Sequence, residues 1–138
     1  MKKTSWTLVA SFLVAASLLA GCGEKSGEAG EATGKAIGTE QIGTFSVTVT
    51  QQSDFKPGGK TKFFVKPTGG QGEPTAVRAW FGSQSGEGSL KGKANFDAAD
   101  GDYDATVEIP ATPAADAKLW VEVEAAGAKN QAGFNVQR

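Results

Sequence analysis

The chain contains no histidine, one cysteine (Cys22) and one methionine (Met1). Without histidine, neither a Ser-His-Asp nor a Cys-His nucleophilic arrangement can be assembled. Zinc and copper sites draw on imidazole, thiolate or thioether ligands, and this sequence offers almost none. A lone cysteine excludes an internal disulfide, so any folded part must be held by its own core. Basic and acidic residues nearly balance, 14 against 15, for a formal net charge of −1. There is thus no clustered Lys and Arg footprint for nucleic acid and no polybasic patch for anionic lipid. A phosphate-binding loop is also missing. Gly59-Lys60-Thr61 ends like one, but the glycine required five residues earlier is Asp54. Paired carboxylates for glycoside hydrolysis need a deep cleft, which a small domain is poorly suited to form. These absences point to a protein that is not an enzyme.

What is present begins at the N-terminus. Met1 to Lys3 supply positive charge, and Trp6 to Ala20 (WTLVASFLVAASLLA) are apolar or small throughout. As a helix this stretch spans roughly 22 Å, short of the ~20 residues a bilayer core demands. It has no polar face, so a buried amphipathic helix does not fit. A charged start, a short apolar stretch and small residues form the secretory signal pattern.

Leu19-Ala20-Gly21-Cys22 resembles the lipobox of bacterial lipoproteins. The resemblance implies removal of residues 1–21, a diacylglycerol on the Cys22 thiol, and acylation of the new N-terminus. It thereby accounts for an unpaired cysteine in an exported chain. It also implies membrane attachment, because two or three acyl chains, at ~0.8 kcal/mol per buried methylene, hold far better than one. Gly23 in the next position, rather than Asp, leans toward an outer-membrane destination. No cofactor is expected beyond the covalent lipid.

Removing residues 1–21 takes Lys2 and Lys3, so the 14 basic residues fall to 12 against 15 acidic, a net charge near −3. Gly23 to Gln41 holds five glycines and four glutamates, with Ile37 its only large apolar residue. Such a segment buries too little to order itself, so residues 22–41 read as a lipidated cysteine and a flexible tether reaching roughly 24 Å.

Residues 42–138 show period-two patterning broken by Gly, Pro and Asp. Phe45, Val47 and Val49 alternate with Ser46, Thr48 and Thr50 as a half-buried strand. Lys56-Pro57-Gly58-Gly59-Lys60 is a turn, with Pro presetting one corner and Gly permitting positive φ at the next. Strands follow at Thr61 to Lys66, Thr75 to Phe81, a weaker segment at Leu90 to Phe96, Tyr103 to Ile109, Leu119 to Glu124 and Gln131 to Val136. About seven short strands without helical periodicity predict an all-β, immunoglobulin-like antiparallel β-sandwich. Gly101-Asp102-Tyr103-Asp104-Ala105 resembles the tyrosine corner of immunoglobulin-like domains, and with the Pro-Gly-Gly turn it is similar to small envelope domains of the YtkA-like kind. Copper-binding members rely on His and Met, so no metal role carries over.

Three features are candidate sites. Asp97, Asp100, Asp102 and Asp104 gather four carboxylates within eight residues. Oxygen ligands suit Ca²⁺, but counted from Asp100 the glycine stands second rather than sixth for an EF-hand, and no acid occupies position twelve. Asp and Gly are also what a tight turn selects. Trp80 and Trp120 each fall on the face opposite their strand's aliphatic series, Trp80 with Arg78 and Trp120 with Glu122 and Glu124. Exposed aromatics there could stack on a sugar ring or anchor an interface. The competing reading buries them, as immunoglobulin-like cores often bury a tryptophan on the third strand. Gly82 to Ser89 (GSQSGEGS) reads as a flexible connection lacking an aromatic or Arg anchor. The expected function is a lipid-anchored interaction module whose partner is the membrane plus another envelope component, with Arg78, Trp80 and Trp120 as binding residues. The alternatives are a small-ligand or Ca²⁺-binding protein using the Asp97–Asp104 turn, and a structural spacer without a specific ligand.

Overall fold

The computed structural model describes residues 33–138. The signal segment, Cys22 and its lipobox, and the first part of the expected tether lie outside the described residues. The rest forms nine strands: β1 (Lys35–Ile42), β2 (Phe45–Gln51), β3 (Lys60–Gly69), β4 (Ala76–Gly82), β5 (Gly92–Lys93), β6 (Asn95–Asp97), β7 (Asp102–Glu108), β8 (Lys118–Ala125) and β9 (Ala128–Phe134). They make two antiparallel sheets, in the orders β1-β2-β3-β7-β6 and β5-β4-β8-β9. With β2 as the first strand of the motif, the orders reproduce the ABED and CFG sheets of the immunoglobulin fold, and β5 adds an edge beside β4.

The period-two pattern explains the layering. Val47, Val49, Phe63, Val65, Ala105 and Val107 face Val77, Ala79, Phe81, Leu119, Val121 and Val123 across the inter-sheet space. All twelve are essentially inaccessible to water. Each buried Val, Leu or Phe contributes roughly 1.5–3 kcal/mol, which is how the domain stands without a cross-link. Ile42, Phe45, Ile109 and Phe134 extend this core.

The turns follow their chemistry. Lys56-Pro57-Gly58-Gly59 is a type II turn, with Gly58 at φ 72° and the Gly59 amide donating to the Lys56 carbonyl at 3.0 Å. Between β1 and β2, Gly43 at φ 63° opens a two-residue loop. Between β8 and β9, Ala126 and Gly127 take φ of 49° and 77°, so both central residues are left-handed. Ala126 is the one non-glycine residue with positive φ among the described residues.

Three differences from the sequence reading have physical causes. The weak segment Leu90 to Phe96 is not one strand. It splits at Ala94, with β5 pairing to β4 in one sheet and β6 to β7 in the other. Order also begins earlier than residue 42: β1 takes in Lys35 to Gln41, read from composition as tether. Its order comes from backbone pairing along the whole of β2, with a bulge at Ile37, and from lying beside β9. Side-chain composition does not register such an edge strand.

Tyr103, finally, is not a tyrosine corner. It sits on β7, paired with Val65, and its hydroxyl donates at 3.5 Å to the carbonyl of Pro74, ahead of β4. The bond ties β7 to the connection between β3 and β4 rather than closing a local corner.

Left-handed backbone costs an alanine roughly 1–2 kcal/mol, and Asn tolerates it far better. Ala126→Asn is therefore expected to stabilise the protein by about 1 kcal/mol, read as a shifted denaturant midpoint at unchanged slope. A lowered midpoint would contradict the turn assignment.

Candidate binding surface

Antiparallel pairing of β4 with β8 sets the candidate residues side by side. Arg78 lies opposite Glu122, and Trp80 opposite Trp120. The alternation that sends Val77, Ala79 and Phe81 inward sends Arg78 and Trp80 to the outer face. The sequence-predicted trio is thus brought together, but its members do different things.

Trp80 is 0% exposed although it lies outside the inter-sheet core. The segment Ser83 to Lys91 folds back over it. The indole Nε1 donates to the Ser83 carbonyl at 2.8 Å, and Lys91 Nζ stands 4.2 Å from the ring centroid. Gly86 packs at the ring edge, where a Cβ would meet Nε1 at 3.1 Å. The loop is pinned further along: Ser89 Oγ donates to the Phe81 carbonyl at 2.8 Å, and Gln131 Nε2 to the Gln84 carbonyl at 3.3 Å. The reading of Gly82 to Ser89 as mere connection is corrected: it is the cover of a satellite core. Small residues let it approach the ring, and no anchor is needed because Trp80 itself is the anchor.

Arg78 is already engaged. Its Nη1 donates to Glu122 Oε1 at 3.0 Å and Glu124 Oε2 at 2.9 Å, with 29% of its side chain exposed. The Glu124 hydrogen bond is the main cause raising the guanidinium pKa, and the same bond lowers the Glu124 carboxyl. Lys129 Nζ approaches Glu124 at 3.9 Å. The charges form a satisfied surface ladder, not a free recognition group.

Trp120 remains accessible. Its Nε1 donates to the Gly82 carbonyl at 3.1 Å, and the far edge of its indole lies over Gly133, its neighbour on β9. A Cβ at Gly133 would stand 3.1 Å from Cζ2 and Cη2, so glycine lets the ring lie here without being pushed aside. The half-buried indole borders an open groove of about 410 Å³ between the segments 82–89 and 110–118. Pro110 and Pro113 lie along the second segment. Glu87, Asp116 and Lys118 border it, and their side chains make no hydrogen bond or ion pair among the described residues. The connection between β7 and β8 was not singled out from sequence. Its only signal is two prolines in a short alanine-rich stretch.

The acidic turn does not build a metal centre. Asp97 Oδ1 accepts from the Ala99 amide at 2.8 Å, and the Gly101 amide donates to the Asp97 carbonyl at 2.9 Å. Asp97 and Asp102 are cross-strand partners, as are Asn95 and Asp104. Lys66 Nζ donates to the Asp100 carbonyl at 3.4 Å, not to its carboxylate. Among the described residues, no three His, Cys, Asp or Glu side chains converge as a metal would need. Asp102 is nevertheless 6% exposed with Oδ1 unpartnered, and burial, then Asp100 and Asp104, raises its carboxyl pKa. Comparison of the chain with protein-family models, with curated proteins and with solved structures finds no match.

Two expectations follow. Trp80→Ala empties a sealed site and is expected to cost about 3–5 kcal/mol, whereas Trp120→Ala, at a half-open site, costs markedly less; equal losses in denaturant unfolding would contradict the division. For Asp102, the raised folded-state pKa means its full stability contribution is present below its unfolded pKa and is lost as pH rises through the folded value. Asp102→Asn should then stabilise the protein by about 1 kcal/mol at pH 7 and by little near pH 3. Destabilisation at pH 7 would show that the ionised carboxylate has a partner.

Proposed function

We propose that this chain is a lipid-anchored protein of the bacterial cell envelope whose β-sandwich is a non-enzymatic interaction module. The binding surface is the groove beside Trp120, and its partner is another envelope component. One observation carries this reading. On a face where Trp80 is covered and Arg78 is paired, Trp120 is left half-open, beside charged side chains that make no hydrogen bond or ion pair among the described residues. Clefts with an apolar wall and a few uncommitted polar groups are the usual form of recognition sites, and partly exposed tryptophans dominate interface energetics. The missing histidine argues against nucleophilic catalysis there.

Anchoring rests on Leu19-Ala20-Gly21-Cys22, with Gly23 favouring the outer membrane where the organism has two. Lys35, where β1 begins, pairs with Gln51 at the end of β2, the same end of the sandwich as Gly82 and Lys118. The ten residues between Cys22 and Thr33 reach at most about 36 Å when extended. A lipid at Cys22 thus tethers the domain by the end that carries the groove, with the Asp97–Gly101 turn at the opposite end.

A photo-crosslinking side chain at Glu87, in intact cells, is expected to give one discrete adduct. The same probe at Thr106, on the exposed face of β7, should give none, and Cys22→Ala should lose the adduct. Equal labelling from both positions, or none from either, would contradict a specific module and favour a spacer.

A further inference from the structure

The groove's chemistry can be taken one step beyond the interaction-module reading, on which this inference rests. We infer that its ligand is an oligosaccharide, stacked on Trp120 and hydrogen-bonded by the rim carboxylates of Glu87 and Asp116. A pyranose ring presents two surfaces: a patch of C–H bonds on one face and a girdle of hydroxyls around its edge. The C–H patch matches the negative π-face of an indole, and the hydroxyls match groups that accept two hydrogen bonds at once, as carboxylates do.

Both requirements meet in this groove. The indole is fixed rather than merely exposed. Its Nε1 is held by the Gly82 carbonyl, and its far edge rests where Gly133 has no side chain. A ring already immobilised loses little entropy when a ligand stacks on it. Pro110 and Pro113 add apolar wall, while Glu87 and Asp116 come from two different loops on either side. Their carboxylates make no internal hydrogen bond or ion pair among the described residues, and Lys118 adds a donor at the same rim. A volume of about 410 Å³ is within the range of small-ligand sites, roughly 300–1,000 Å³.

A polypeptide ligand is less well served. The groove lies across the ends of β4 and β8: β8 pairs there with β4 and β9, and on the other side of β4, where β5 reaches only Arg78 and Ala79, Ser89 Oγ takes the Phe81 carbonyl, which leaves little free edge for an added strand. A strongly acidic ligand would meet two carboxylates against a single lysine. Neutral, hydroxyl-rich rings avoid that conflict.

The full chain, purified in detergent, is titrated with chitotetraose and, in parallel, with cellotetraose and maltotetraose. Binding is read from the indole N–H resonances of Trp80 and Trp120 and from tryptophan fluorescence. The expected result is a saturable shift of the Trp120 resonance with at least one of these sugars. Trp120→Ala should weaken binding at least tenfold, Trp120→Phe less, and Asp116→Asn several-fold. Asp116 is exposed, so its substitution reads binding without putting the fold at risk. No saturable shift with any of the three sugars, or binding indifferent to Trp120→Ala and Asp116→Asn alike, overturns the inference. The two readings separate cleanly. A polypeptide adduct from Glu87 in cells, with no sugar bound in vitro, removes the oligosaccharide and leaves the interaction module. Failure of both experiments removes both.

Discussion

The antiparallel register between β4 and β8 is the constraint on which the rest of this domain depends. Pairing Val77 with Val123, Ala79 with Val121 and Phe81 with Leu119 builds half of the inter-sheet core. The same pairing forces Arg78 beside Glu122 and Trp80 beside Trp120 on the other face. A slip of one residue would exchange the two faces entirely, placing charged groups in the core and leucine and valine in water. The outer tryptophan pair is thus as firmly specified as the core behind it. Two neighbouring tryptophans on an outer face would form a large apolar patch, and the protein resolves this asymmetrically. The segment after β4 doubles back to cover Trp80, while nothing covers Trp120 to the same degree. That asymmetry is what creates a candidate site.

Most of the architecture was legible from residue patterns, because half-buried strands write their period into the sequence. Phe45-Val47-Val49 and Leu119-Val121-Val123 lie inward as the alternation requires, and the Pro57-Gly58 turn has the geometry its residues select. What was not legible depended on groups without side-chain signatures. β1 is ordered by main-chain hydrogen bonds to β2, and glycine-rich composition hides that. The break at Ala94 moves a strand from one sheet to the other, a long-range choice with no local marker.

The site was legible only in part. Alternation correctly put Arg78, Trp80 and Trp120 opposite their own strands' aliphatic series, and the β4–β8 pairing brought them onto one face. It could not show that Ser83 and Gly86 seal Trp80, because burial by a returning loop is a tertiary event. Nor could it show that Arg78 is spent on two glutamates, one of them directly across the strand pair and one diagonal. The groove's second wall comes from residues 110–118, whose proximity to Trp120 depends on the crossover between sheets. The aspartate cluster illustrates the converse. Spacing alone gathers Asp97, Asp100, Asp102 and Asp104, yet turn and strand geometry point them to different surroundings, and one is buried with an unpartnered oxygen.

The account turns on a division of labour between two adjacent tryptophans, one sealed for stability and one left open for recognition. Its most direct test is hydrogen exchange at the two indole N–H groups of the full chain, followed by two-dimensional NMR. Trp80 is predicted to exchange only with global unfolding, while Trp120 exchanges through local opening, orders of magnitude faster. Equal protection at both positions, or faster exchange at Trp80, would contradict the covered-and-open arrangement and remove the basis for a site at the groove.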